Sequence, residues 1–226
     1  MVTYSYMIDL HTHSLLSDGE LIASELVRRA GITGYSAIGI TDHCDSSNLD
    51  FVISNILKAA DDLNRNQSVL VIPGVELTHV PTRLIGSMVK KARESGAALI
   101  VVHGETIVEP VEPGTNRAAI EAGADILAHP GLITYEDAML AAKKGILLEL
   151  SGRSGHSFTN GHVAKISIET GVNLCFDSDA HAPGDLIPDE LAAGIVEGAG
   201  MSAGALEKLL SNSRNLLQKI GYPLSI

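Results

Sequence analysis

Seven short apolar runs recur along this chain, and almost every one ends in a histidine or a carboxylate. Ile8 and Leu10 lead into His11 and His13, the run at 36–41 ends in Asp42 and His43, and the run at 69–75 ends in Glu76. His103 closes the run at 97–102, His129 that at 126–128, and Asp177, Asp179 and His181 follow that at 172–176. The run at 145–150 is the exception and opens onto the glycine-rich stretch Ser151-Gly152-Arg153-Ser154-Gly155-His156. These runs are continuous rather than alternating, as strands are when both faces are covered. Between them lie segments with apolar residues at helical spacing, over about 20–30, 48–64, 82–95, 117–122, 135–143, 161–170 and 188–220. The second puts Phe51, Val52, Ile56, Leu57 and Leu63 on an inner face, and the first is expected to stop at Gly31. Ser202 is a candidate helix cap in the last, with Gly221-Tyr222-Pro223 as its stop.

Strand and helix alternating with short connections indicate a parallel sheet. A closed barrel accommodates the polar residues better than an open sheet, because barrel topology gathers every strand end on one rim. An open dinucleotide-type sheet is disfavoured further, since no phosphate-binding glycine fingerprint follows the first strand. The expectation is an α/β fold, a TIM-like barrel of seven β/α units, in one domain over residues 1–226. A formal charge of −11 argues against a dedicated binder of nucleic-acid backbone and suits a protein that takes up divalent cations. Cys44 and Cys175, the two cysteines, form neither a disulfide framework nor a Cys-rich zinc pattern. No signal peptide or membrane span is legible, so a cytoplasmic location is expected.

Side chains at i and i+2 of a strand point the same way, so His11 and His13 would aim two imidazoles at one point. Barrel geometry adds Asp18, His43, Glu76, His103, His129, Asp179 and His181 to that point. Each residue alone reads as a loop, cap or core residue, and Asp42 as an anchor or as the group that orients His43. Six of the nine histidines at strand ends, however, point to a shared site. Nitrogen and oxygen donors without thiolate suit zinc, manganese or iron, and there are enough for two or three ions bridged by Glu76 or Asp179. Arg153 is a candidate for gripping a phosphate, its small neighbours allowing close approach, and His156 in the same turn can contact substrate. His79 and His162 read as surface or packing residues. The loop 104–114 is long enough for a lid, with Glu105, Glu109 and Glu112 a solvated rim.

In order, the motifs are His-Thr-His at 11–13, Ser-Asp-Gly at 17–19, Thr-Asp-His at 41–43, Gly-Val-Glu at 74–76, His103, Ala-His-Pro at 128–130 and Ser-Asp-Ala-His at 178–181. In this ordered combination the chain resembles the PHP family of polymerase and histidinol phosphatase proteins along nearly its whole length. Gly104 stands where many relatives have proline. The resemblance implies a distorted seven-stranded barrel and a cluster of two or three metals that hydrolyses phosphate esters. It implies one ion at His11, His13, Glu76 and Asp179, a second sharing Glu76 with His103 and His129, and a third at Asp18, His43 and His181.

The chemistry expected is attack on phosphorus by a metal-bound water, with no protein nucleophile. The first reading is a phosphatase of a small phosphorylated substrate, similar to histidinol phosphatase. A phosphodiesterase or exonuclease acting on nucleotides is the second reading; extended nucleic acid is disfavoured by the charge and by the lack of an aromatic or basic track. A non-catalytic subunit of an RNA-processing complex is the third.

Overall fold

The computed structural model describes residues 7–224. The strands are β1 (Met7–Thr12), β2 (Tyr35–Ile40), β3 (His43–Cys44), β4 (Leu70–Leu77), β5 (Leu99–His103), β6 (Ile126–Ala128), β7 (Leu147–Ser151) and β8 (Leu174–Asp177). The helices are α1 (Ala23–Thr33), α2 (Leu49–Asn66), α3 (Thr82–Glu94), α4 (Thr115–Ala122), α5 (Tyr135–Lys144), α6 (Asn160–Thr170), α7 (Asp189–Gly198) and α8 (Ala205–Lys219). Strands pair in the order β1-β2-β4-β5-β6-β7-β8, all parallel, and β3 lies alongside β4 with His43 opposite Glu76. One bridge, between Thr12 and Ala180, brings the two ends of the sheet together. Among the described residues this is a nearly closed barrel of seven parallel staves with eight helices, the distorted TIM-like form expected.

The seam between β1 and β8 is held differently from the other strand pairs. Leu10 N donates to Asp177 Oδ1 at 2.6 Å and Ser178 N to Asp9 Oδ1 at 3.2 Å. The Ser178 hydroxyl bonds the Asp9 carboxyl as well, and His13 N donates to the Ala180 carbonyl at 2.9 Å. Two buried carboxyls thus do what a backbone ladder does elsewhere.

Apolar strands and one stripe of each helix form a continuous core that includes Ile8, Leu10, Ile38, Ile72, Val101, Leu148 and Phe176. On α2 the stripe is Leu49, Val52, Ile53, Ile56, Ala60 and Leu63. Phe51 falls one position off it and is 60% exposed, contrary to the inner face assigned from spacing. Helix α1 starts later than its periodicity suggested, because the segment before it ties the loop after β1 to the loop after β8 through Glu20 N and the His181 carbonyl. Gly31 is not its stop: a Cβ there would sit 3.1 Å from Val69, so this glycine serves packing, and Gly34 at φ 99° ends the helix. The C-terminal helical stretch is two helices, broken where Gly200 and Gly204 take positive φ; Gly204, not Ser202, precedes α8. No helix among the described residues is long and apolar enough to cross a membrane.

Candidate metal centre

All nine residues expected at the rim meet at one end of the barrel. His11 and His13 leave β1 buried, with ring centroids 5.0 Å apart. Glu76, fully buried on β4, reaches both: its Oε1 lies 3.4 Å from His11 Nε2 and its Oε2 3.9 Å from His13 Nε2. Asp179, just past β8, puts Oδ1 3.1 Å from His13 Nε2 and Oδ2 3.8 Å from His129 Nε2. His129 Nε2 is also 3.8 Å from Glu76 Oε1, and its ring meets His103 edge-on at 4.5 Å. On the other side of His13, Asp18 Oδ1 lies 3.4 Å from His43 Nε2 and 3.2 Å from His181 Nε2. His129 and Asp179 hold positive φ, 27° and 53°, a costly conformation for residues other than glycine. At Gly104 the chain passes so close to β6 that a Cβ would stand 2.3 Å from the Ala128 carbonyl oxygen. Glycine there sets the course of the loop after His103.

The donors fit divalent cations. His11 Nε2, both ring nitrogens of His13, Glu76 Oε1, His129 Nδ1 and Asp179 Oδ1 are buried and make no hydrogen bond. Buried polar atoms are almost always satisfied, so this concentration of lone pairs marks a cation site. Burial alone would raise the Glu76 carboxyl, yet His11 and His43 hold it well below the usual range. Asp179 is lowered likewise: His11, His13 and His129 outweigh its burial. Burial lowers His13 to about 4 and, with His103, pushes His129 well below its ordinary value. At both positions burial thus favours the neutral ring with its lone pair.

Asp42 does not orient His43. Its carboxylate takes Ser14 N at 2.8 Å, Ser14 Oγ at 2.7 Å and Ser17 Oγ at 2.7 Å, and so anchors the loop after His13. His43 Nδ1 meets Thr78 Oγ1 at 2.7 Å and Glu76 Oε2 at 2.5 Å. Arg153 Nη1 donates to the Asp179 carbonyl at 3.0 Å and lies 2.7 Å from His181 Nδ1, placing the guanidinium on the wall of the centre. The His156 ring stacks on His129 at 4.1 Å, and its Nδ1 is 2.8 Å from Thr106 Oγ1. Arg153, His156, His43, His103, Asp179 and His181 line one cavity of about 280 Å³. His162 bonds the Ile133 carbonyl at 2.8 Å, the packing role expected of it.

Four acids and a histidine belong here that spacing did not assign. Glu109 is no solvated rim residue: it lies 3.1 Å from His103 Nε2, 3.3 Å from His79 Nε2 and 3.4 Å from His156 Nε2. Its carboxyl is lowered to about 2, first by the bond to His103. His79 accordingly stands at the cavity mouth rather than on an unrelated surface. Glu149, fully buried on β7, meets His11 Nδ1 at 2.7 Å. Asp9 and Asp177 lie behind it at the seam. An acid inside an otherwise apolar run, as in Met7-Ile8-Asp9-Leu10 and Leu147-Leu148-Glu149-Leu150, was the available signal.

Burial pushes Asp9 and Asp177 up to about 7, with added repulsion from Asp177 on the first and from Glu149 on the second. Between the ordinary value of 3.8 and about 7, the folded protein holds protons here that the unfolded chain has released. Stability contributed by this pair therefore falls as pH rises through that window. Asp177→Asn keeps the acceptor for Leu10 N and removes the charge. The metal-free variant should lose about 1–2 kcal/mol less than wild type between pH 5 and pH 8. Denaturant titrations at the two pH values check this, and an unchanged difference would refute it.

Residues 9–218 match the PHP domain family. An uncharacterized protein of Methanocaldococcus jannaschii is 47% identical over 215 residues, covering 94% of this chain and 99% of its own. Among solved structures, a chain of archaeal ribonuclease P with mature tRNA is similar in fold at TM-score 0.70 and 16% identity, covering 96% of this chain and 92% of its own. The histidinol phosphate phosphatase of Lactococcus lactis, complexed with zinc, L-histidinol and phosphate, is similar at TM-score 0.56 and 16% identity, covering 95% and 94%. With its motifs gathered at one barrel end and the family match spanning nearly all of the described residues, the chain belongs to the PHP family.

Proposed function

We propose that this protein is a metal-dependent phosphoesterase acting on a small phosphomonoester. The observation that carries the reading is the cluster of buried, unpartnered donors at the base of a cavity that Arg153 also lines. His11, His13, Glu76 and Asp179 would hold one cation, His103 and His129 with Glu76 a second, and Asp18, His43 and His181 a third. Zinc, manganese and iron all suit this donor set. Such ions supply positive charge against phosphoryl oxygens and make water a better nucleophile at neutral pH. Arg153 grips the phosphate with its fork of donors, and His156 offers a ring nitrogen from the neighbouring wall. A cysteine nucleophile is disfavoured, because burial holds both Cys44 and Cys175 far above their ordinary values. The L. lactis phosphatase, whose structure holds zinc, L-histidinol and phosphate, supports this reading by its likeness in fold.

The likeness to a chain of ribonuclease P favours a second reading, a non-catalytic subunit that binds RNA or partner proteins. The charge of −11 and the converging donors weigh against it. The test is a panel of esters: glycerol phosphate, a sugar phosphate, histidinol phosphate, mononucleotides, p-nitrophenyl phosphate and bis-p-nitrophenyl phosphate. Each is assayed after chelation and reloading with manganese, zinc or iron. Metal-dependent turnover of a monoester is expected. Cations bound but no ester cleaved would leave the RNA-processing reading in possession, and preference for the diester would make the protein a phosphodiesterase. Arg153→Ala should raise KM about 10–100-fold with a smaller change in kcat, the value of a charge-assisted bond. An unchanged KM would show that Arg153 belongs only to the wall.

A further inference from the structure

Among the described residues other than glycine, three have positive φ: His129, Asp179 and His79. The first two lie among the donors at the base of the cavity. His79, at φ 52°, is not one of those donors and stands two residues past the end of β4. Residues persist in this region only where surrounding structure fixes them, and such positions cluster at functional sites. The His79 ring meets Glu109, carried in by the loop after β5, at 3.3 Å from its Nε2, and lies against the His103 ring at 5.1 Å between centroids. Glu109 also contacts His103 and His156, so its place is set by two rings besides His79. The imidazole lines the same cavity as Arg153, yet its side chain is 43% exposed where those of Glu76 and Asp179 are 0% and 3%. It thus stands on the open side of the cavity, as Asp18 does at 59%, while Glu76 and Asp179 mark the base.

Resting on the phosphomonoesterase reading, that placement raises a question of protons. A phosphate drawn to the base points its ester oxygen outward, and an aliphatic alkoxide leaves readily only when protonated. We propose that His79 is the general acid that protonates the leaving oxygen, with Glu109 as the residue that positions its ring. Water oxygen bonds phosphorus and releases a proton to solvent. The bond from phosphorus to the ester oxygen breaks, with its electron pair left on that oxygen. The oxygen takes the proton from His79 Nδ1, since Nε2 is held by Glu109. Solvent at the open mouth returns a proton to the ring, and the sum is ester plus water giving alcohol plus phosphate.

The test uses leaving groups of opposite need. The manganese-loaded full chain and its His79→Gln variant are compared on p-nitrophenyl phosphate, whose nitrophenolate departs without a proton, and on the fastest aliphatic monoester of the panel. Bound manganese is measured in both proteins. On the aliphatic ester kcat should fall about 100-fold or more, a usual yield of general-acid catalysis. On p-nitrophenyl phosphate it should fall no more than about threefold, and manganese per chain should match wild type. Glu109→Gln should repeat the pattern at about tenfold, because it frees the ring without removing it. Equal losses on both esters, no loss on the aliphatic one, or a missing equivalent of manganese would each overturn the role, the last making His79 a metal ligand. Wild-type protein that cleaves only p-nitrophenyl phosphate would overturn it also. Wild-type protein that cleaves no monoester would instead overturn the phosphatase reading, and this role with it.

Discussion

Asp179→Asn will leave the barrel folded and reduce turnover by on the order of a thousandfold or more. Asparagine is the informative replacement at this position. Asp179 holds φ 53°, a conformation that asparagine adopts readily and alanine does not, so the backbone is left undisturbed. The side chain keeps its shape and an oxygen but loses the charge that faces His11, His13 and His129. Under the proposed function that charge is what retains the first cation, and at least one equivalent of bound metal should disappear with it. Metal analysis, a thermal melt and the ester assay are read together after chelation and reloading. Full turnover in the variant would remove Asp179 from the centre and weaken the whole assignment.

Glu149→Ala should produce the largest loss of metal affinity outside the nine donors themselves. The carboxylate lies 2.7 Å from His11 Nδ1, and both side chains are inaccessible to solvent. Burial works against a charged His11, but Glu149, Glu76 and Asp179 around it raise its pKa well above the ordinary value. In the neutral ring the 2.7 Å contact with Glu149 keeps the proton on Nδ1 and leaves Nε2 turned to Glu76 and Asp179. Partners of this kind are typically worth 10–100-fold in metal affinity, and breaking a buried pair from one side costs about 3–5 kcal/mol of stability. Glu149→Gln, which retains an acceptor for Nδ1, should recover most of the affinity. Equilibrium dialysis against manganese distinguishes the two variants, and identical affinities would show that the carboxylate does not act through His11.

The donors at strand ends were legible because the strands are short, apolar and bounded by chemistry that has no place in a core. His11, Glu76 and His129 could be assigned without knowing how their helices pack, since closure of a parallel barrel gathers every strand end. Glu109 was not legible in that way. It sits in a loop with two other acids, but Glu105 accepts from Gly114 N and Asn116 N and Glu112 from Thr82 N, contacts that spacing does not reveal and that leave Glu109 as the acid facing the histidines. Asp9, Glu149 and Asp177 were missed for the opposite reason: each lies inside or at the end of a run read as core, where spacing gives no hint that an acid is paired. Phe51 shows the limit of periodicity on the apolar side, since a rotation of one residue along α2 separates a core position from an exposed one.

The way β1 meets β8 has a kinetic consequence. Leu10 and Asp177 are 167 residues apart in sequence, so their bond closes a long loop at a higher entropic cost than pairing of strands adjacent in the chain. Joining the ring is therefore expected late in folding, and contacts of such long range slow the approach to the native state. Cations held by His11 and His13 on one side and Asp179 on the other would clasp this join. Loading should accordingly slow unfolding more than it speeds folding, and should protect the amides of Leu10, His13 and Ser178 from exchange before those of β4 and β5 respond.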